Sequence, residues 1–221
     1  MNIIITGSTG MVGKAVLLEA IDDNRIEKIL VINRTSLASE YPKLKEILIQ
    51  DFTQIGTQKE YLKGYDACFH CMGVSSFGMS ESQYTYLTFD ITKAFVDTLY
   101  EINPSMVFNY VTGEGTDNSE KGRIMWARVK GKTENYIINK GFKGAYMIRL
   151  GALLPEKGIQ SKTKLYHTLY IFLRPLFPLL KKSKNIITTT NFGKAMLNTL
   201  FYPQDDIFLT NTMLNKIAQL K

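Results

Sequence analysis

The chain has 221 residues, 45% hydrophobic and 21% charged. That suffices for one domain with a full core and excludes the biased compositions of disordered or fibrous chains. No run reaches the ~18 apolar residues that would span a bilayer. The opening MNIIITGSTG carries neither a basic leader nor a cleavage site, so the expectation is a cytoplasmic protein without a signal peptide. The net charge of +7 is unevenly placed: residues 1–156 hold 17 basic and 18 acidic side chains, residues 157–221 hold 10 and 2, and no acid occurs between Lys157 and Gln204. This bias suits an anionic ligand or surface, and equally a solvated basic face.

Taken in chain order, the β-branched run 3–5 predicts a first strand, closed by Thr6-Gly7, and 11–20 repeats its apolar residues at helical spacing. KILVI (28–32), EILI (46–49) and ACFHC (67–71) read as further strands, 87–100 as a helix, SMVFNYV (105–111) as a strand, 124–139 as a helix and AYMIRL (145–150) as a sixth strand. Alternating strands and helices with short connections predict an α/β fold of Rossmann type, a doubly wound parallel sheet covered on both faces. Beyond Gly151 the pattern changes. TKLYHTLYIFLRPLFPLLKK (163–182) is aromatic, basic and interrupted by Pro175 and Pro178, so it is no single long helix. Asn191 is expected to cap a helix over 192–201, followed by a strand at 206–210 and a helix at 211–220. The whole chain, 1–221, thus reads as one dinucleotide-binding domain, with 152–221 forming a small cap together with the last strand and helix.

The two cysteines, Cys68 and Cys71, are spaced C-x-x-C. A redox pair needs a helix N-terminus, and a metal site needs about two further ligands where the chain offers only His70 and His167. Within an apolar run they read as small hydrophobes near a strand end, and no metal site is expected.

Thr6-Gly7-Ser8-Thr9-Gly10-Met11-Val12-Gly13 is the strongest motif, a G-x-x-G-x-x-G run between strand and helix. Gly7 permits a tight turn, Gly10 lets a pyrophosphate approach the backbone, and Gly13 lets the helix pack against the strand. The free N–H groups of the helix start face the negative charge. The second strand ends Val31-Ile32-Asn33-Arg34-Thr35 without an acid for a ribose 2′-OH. Arg34 suits a 2′-phosphate and adenine stacking, or else is a surface charge. NADP is therefore expected in preference to NAD.

These residues make the chain similar to the short-chain dehydrogenase/reductase superfamily, in its extended and atypical branch. That branch includes nucleoside-diphosphate-sugar epimerases and Tat-interacting-protein-like oxidoreductases. The resemblance covers most of 1–155. Asp51-Phe52 resembles the acidic-hydrophobic pair at adenine, and Cys71-Met72-Gly73 the fourth-strand glycine motif beside ribose and nicotinamide. Tyr110–Gly115 resembles the fifth-strand end that supplies a hydroxyl, and Val129–Glu134 the helix carrying a catalytic lysine, Lys130. Ile148–Gly151 resembles the R-P-G turn, with Gly151 near the nicotinamide carboxamide. The resemblance implies an NAD(P)-dependent oxidoreductase or epimerase-like enzyme.

Two positions depart from the family pattern. Leu150 replaces the proline of R-P-G, and Trp126 stands where the Tyr-x-x-x-Lys pair has its tyrosine. In the family the tyrosine exchanges a proton with the substrate oxygen, and the lysine binds ribose and lowers the tyrosine's pKa. Trp126 and Lys130, four apart, share a helix face. An indole N–H donates a hydrogen bond but is no general acid, and losing such an acid costs ~10²–10⁴ in rate. The alternative is therefore a catalytically silent NADP-binding regulatory or interaction protein. Tyr136-Ile137-Ile138-Asn139-Lys140 also spells Y-x-x-x-K, but it falls ten residues late, at a helix end. Thr112 is the best hydroxyl candidate, although Gly113 competes for that slot. Ser75, Ser76, Tyr84 and Tyr86 follow the fourth strand, where the family borders its substrate. Each is either a pocket residue or part of a polar loop and helix start.

The segment 163–182 suits a substrate lid, a membrane-surface contact, a dimer contact or a plain core helix with snorkelling lysines. A small, anionic substrate is expected and nucleic acid is not, because no recognised module is present.

Overall fold

The computed structural model describes residues 1–160, 177–181 and 183–220. Its strands are β1 (Asn2–Thr6), β2 (Lys28–Asn33), β3 (Leu44–Leu48), β4 (Ala67–His70), β5 (Val107–Gly113), β6 (Gly144–Leu150), β7 (Ala152–Leu154), β8 (Ile186–Thr188) and β9 (Phe208–Thr210). Its helices are α1 (Met11–Asp22), α2 (Glu81–Thr85), α3 (Ile91–Ile102), α4 (Met125–Lys140), the single turn α5 (Phe177–Leu180), α6 (Thr189–Phe201) and α7 (Asn211–Ile217).

Seven strands form one sheet in the order β3-β2-β1-β4-β5-β6-β9, and every pairing is parallel. The chain runs outward from β1 to β3, returns to β4 beside β1, and then runs the other way. The strand order therefore reverses between β1 and β4, and a crevice opens there at the strands' C-terminal ends. Central strands covered on both faces need continuous apolar runs. Ile3, Ile4 and Ile5 are each fully buried, as are Val31, Ile32, Ala67, Cys68 and Phe69. Fully burying each isoleucine is worth about 1.5–3 kcal/mol, so β1 is the spine of the sheet.

The predicted strands and helices are present, with differences that have local causes. The helix expected from residue 87 begins at Glu81, because Ser80 and Gln83 form a reciprocal capping box. It then passes through a π-helical turn, Tyr86–Asp90, before α3. Phe52–Leu62 winds as 3₁₀ turns, started by the Asp51 carboxylate accepting from the Thr53 N–H. Asn191 is not the cap of its helix. Thr188 is, its hydroxyl accepting from the Asn191 N–H at 3.2 Å, which moves the helix start to Thr189. Helices α6 and α1 pack closely, and a Cβ at Gly193 would meet the Ala15 carbonyl oxygen at 2.5 Å. The described part of 152–221 thus extends the sheet through β9, adds the two-stranded β7–β8 ladder and covers α1. Most of 163–182, and with it the expectation of a lid, membrane or dimer contact, lies outside the described residues. No helix among the described residues is long and apolar enough to cross a membrane.

Candidate functional site

Gly7 leaves β1 at φ +68°, a left-handed conformation that L side chains rarely adopt. A Cβ there would also stand 2.8 Å from the Cys71 carbonyl oxygen. One turn into α1, a Cβ at Gly13 would sit 2.4 Å from the Gly7 carbonyl oxygen, so only glycine lets the helix start close against the turn. Gly10 is the N-cap with extended backbone, and no side chain caps the helix. Its first N–H groups are therefore left to solvent or to a ligand.

In front of this turn lies a cavity of about 430 Å³. Gly7, Thr9 and Gly10 form one wall, Arg34 and Phe52 a second, and Cys71, Met72 and Gly73 a third. The Arg34 guanidinium stands 5.8 Å from the Phe52 ring centroid, leaving a flat, cationic flank. These eight residues, expected at a cofactor from their places in the sequence, are brought together. Ile32, Asn33, Thr35, Val74, Leu87 and Ile91 complete the lining. Leu87 and Ile91 are four apart, a signal the sequence did carry.

Other expected cofactor residues do not line this cavity. Met11 and Val12 pack against the core behind α1. The Asp51 carboxylate is engaged by the Thr53 N–H at 3.0 Å and hydroxyl at 2.7 Å. The Gly151 N–H donates to Asn211 Oδ1 at 3.1 Å. Ser8 is buried, and its hydroxyl donates to Asn33 Oδ1 at 2.9 Å. Asn33 in turn donates to Glu46 Oε1 at 2.9 Å, and Glu46 also accepts from the Ser36 hydroxyl and the Leu37 N–H. Burial opposes its ionisation, but the bonds from Ser36 and Asn33 prevail and hold the Glu46 carboxyl below its usual range. An acid therefore does stand near the end of β2, supplied by β3 and turned onto the protein.

At the β5 end, α4 carries Trp126 and Lys130, both half-buried. The six-membered ring of Trp126 lies over the chain at Gly113 and Gly115: a Cβ at Gly113 would be 3.6 Å from its Cζ3, and one at Gly115 3.7 Å from its Cη2. Thr112, the expected catalytic hydroxyl, is 5% exposed. It lies 2.7 Å from the Thr116 hydroxyl, which itself donates to the Gly113 carbonyl at 2.7 Å. With that proton spent, Thr112 must be the donor of the pair. Its proton is then directed to Thr116, inside the protein. Tyr84 is 2% exposed, buried near Tyr110, so it offers a substrate almost no surface. Ser75 is exposed and accepts from the Phe77 N–H at 3.2 Å, and Ser76 lies half-buried in the same loop.

Lys130 Nζ stands 5.6 Å from the Tyr110 ring centroid. Burial lowers its pKa to about 8, with the Glu134 carboxylate opposing. Glu134, fully buried one turn further on, pairs with Arg149 at 2.7 Å and accepts from Asn118 at 2.8 Å. His70 lies between the hydroxyls of Thr6 and Thr92, each 3.2 Å away. Burial, helped by the Lys130 charge, lowers its pKa to about 3, so it is neutral. Burial also raises the thiols of Cys68 and Cys71, so neither is a ready nucleophile. Among the described residues no group of three or more His, Cys, Asp or Glu is placed to hold a metal.

The alternative Y-x-x-x-K pair faces α3. The Tyr136 hydroxyl and Lys140 ammonium both bond Asp97, at 2.6 and 2.5 Å, and Lys93 takes its other oxygen at 2.6 Å. Gly141 at φ +88° ends the helix one residue later.

The description of the NAD dependent epimerase/dehydratase family matches residues 3–132. Protein HTATIP2 of Rattus norvegicus is 24% identical over 166 residues, which are 71% of this chain and 64% of that protein. The chain thus spans less than two thirds of that relative's length. The fold matches UDP-glucose 4-epimerase of Thermotoga maritima, solved with UDP-glucose, at a TM-score of 0.69 and 13% identity over 99% of this chain and 82% of that one. It also matches yeast methylglyoxal/isovaleraldehyde reductase Gre2, solved with NADPH, at a TM-score of 0.65 and 11% identity over 95% and 78%.

Proposed function

The chain belongs to the NAD dependent epimerase/dehydratase family, and on that premise we propose that it binds a nicotinamide dinucleotide, NADP in preference to NAD, and acts as an oxidoreductase or epimerase-like protein on a small, anionic substrate. The observation that carries the reading is the cavity before the glycine turn, with backbone N–H groups on one side and Arg34 over Phe52 on the other. A diphosphate needs the first, and an adenosine phosphate suits the second. Along the cleft, Cys71, Met72 and Gly73 lead toward the nicotinamide end, and Lys130 serves the ribose there. When bound, the dinucleotide supplies the hydride chemistry. The protein's part is to orient it and to manage the proton at the substrate oxygen.

A second reading, a catalytically silent NADP-binding regulator, is favoured by that proton-handling end. Trp126 donates one hydrogen bond but does not ionise, Gly113 has no hydroxyl, and the Thr112 proton is engaged by Thr116. Lys130, half-buried on the same helix face as Trp126, is a titratable side chain at this end.

The lone tryptophan tests both readings. NADPH should quench Trp126 emission at lower concentration than NADH. Absence of any response to either removes Trp126 from a dinucleotide site. Carbonyl reduction with NADPH that appears in Trp126→Tyr and is absent from the natural protein selects the silent reading; equal turnover in both selects the enzyme, with another group moving the proton.

A further inference from the structure

A second cavity, of about 440 Å³, lies on the other side of the β1–α1 turn. Thr9 and Thr35 line both cavities, so the two meet at the gap between the glycine turn and the end of β2. An adenosine ribose held in the first cavity, between Gly10 and Arg34, would sit at this gap. Its 2′ position is then the one group of the cofactor with a way through.

Hydroxyls and lysines line part of the second cavity, beside an apolar part made by Leu17, Leu18, Ile21 and Leu37. Thr9 and Thr35 make no side-chain hydrogen bond with other described residues, which leaves both hydroxyls free to donate. Lys14, exposed on the first turns of α1, lines the same cavity and makes no ion pair or hydrogen bond through its ammonium with other described residues. Helical side chains lean toward the helix N-terminus, which directs Lys14 to Thr9. The other lysine here, Lys157, is already neutralised by Glu19 at 2.6 Å and Asp22 at 3.7 Å. No carboxylate lines the cavity, and Glu46, on β3 beside the end of β2, is engaged by Asn33, Ser36 and the Leu37 N–H.

We infer that a 2′-phosphate passes between Thr9 and Thr35 into this second cavity and is met there by Lys14, which makes Lys14, on α1, a determinant of NADP specificity alongside Arg34 at the end of β2. The inference rests on the dinucleotide reading above and assigns a residue that the strand-end motif does not contain. Lys14 touches only the phosphate that distinguishes the two cofactors, whereas Arg34 also flanks the adenine wall.

The test uses the intact protein and four ligands: NADPH, NADH, adenosine 2′,5′-bisphosphate and ADP, titrated by calorimetry at low and at physiological salt. The unmodified protein should prefer the 2′-phosphorylated member of each pair. Lys14→Ala, on an exposed helical position where alanine is well tolerated, should weaken the two 2′-phosphorylated ligands about tenfold, as for loss of one charge-assisted bond. It should leave ADP and NADH within twofold, and Lys14→Arg should recover most of the loss. The tenfold effect should shrink as salt is raised. Equal weakening of all four ligands, or no change in any, overturns the role of Lys14 while leaving dinucleotide binding intact. An unmodified protein that binds neither NADPH nor NADH overturns the dinucleotide reading itself and this inference with it.

Discussion

Around the glycine turn after β1 the main chain shapes the cavity, whereas at the end of β5 side chains pack over the main chain. Gly7 and Gly13 are fixed by contacts with main-chain atoms, at 2.8 and 2.4 Å for an added Cβ, and such atoms have nowhere to move. Around Trp126 the arrangement is complementary in volume instead. The indole fills space over Gly113 and Gly115 that a serine and a tyrosine side chain would divide differently. A site that holds phosphate through main-chain N–H groups tolerates change at its surroundings, whereas a site that moves a proton depends on two or three particular atoms. A site of the first kind can therefore persist while one of the second kind changes.

The widest separation of the two ends comes from rebuilding the second. Trp126→Tyr combined with Gly113→Ser returns both missing hydroxyls, and Gly113 is not in a left-handed conformation, so serine is admissible there. The pair should raise NADPH-dependent carbonyl reduction by about 10²–10⁴ over the natural protein, measured as loss of NADPH absorbance, with Gly113→Ser alone giving little because its side chain meets the indole. A gain of that size from Trp126→Tyr alone would show that the hydroxyl at 113 is dispensable.

Gly13→Ala attacks the first end. Its Cβ would press on the Gly7 carbonyl and on Ser8 Cα at 2.9 Å, so the turn must shift. Dinucleotide affinity should fall about 100-fold and stability by about 3 kcal/mol, the upper range for overpacking, as read by calorimetry and chemical denaturation. Affinity unchanged in a folded variant would place the diphosphate elsewhere.

A smaller effect links the ends. Lys130, lowered to about 8 by burial, is charged below that pH and neutral above it. Affinity for an anionic dinucleotide should therefore decline about tenfold from pH 7 to pH 9, and Lys130→Met should bind more weakly at pH 7 and show no such decline. A pH profile identical in both proteins would remove Lys130 from the ribose.

The smallest effect belongs to the Tyr136–Lys140 face. Burial opposes ionisation of Asp97, but its bonds from Lys140, Lys93 and Tyr136 prevail and lower its carboxyl to about 2. Because that folded-state value is below the ordinary one near 3.8, the stabilisation is present above pH 4 and disappears as pH falls toward 2. With Asp97 and its partners partly exposed, it is worth at most about 1 kcal/mol. Asp97→Asn should lose that amount at pH 7, converge with the natural protein near pH 2, and bind NADPH unchanged. A change in cofactor affinity would return the second Y-x-x-x-K pair to consideration.

The sequence by itself determined the sheet, the glycine turn and the place of the cavity before it, because these depend on local rules. Apolar runs of β-branched residues can only be buried strands, a glycine triplet between strand and helix leaves its amides free, and the chain order brings β1 and β4 together at the reversal. The capping box at Ser80 and Gln83 is equally local, but apolar periodicity alone placed that helix start at residue 87. Only the tertiary structure decided which hydroxyls and charges are free. Thr112 is tied to Thr116, Tyr84 is buried, Glu46 from the neighbouring strand stands behind Asn33, and Lys14 lines the cavity on the far side of the turn. Whether a polar atom is available depends on partners distant in the chain, and no spacing within one strand or helix encodes them.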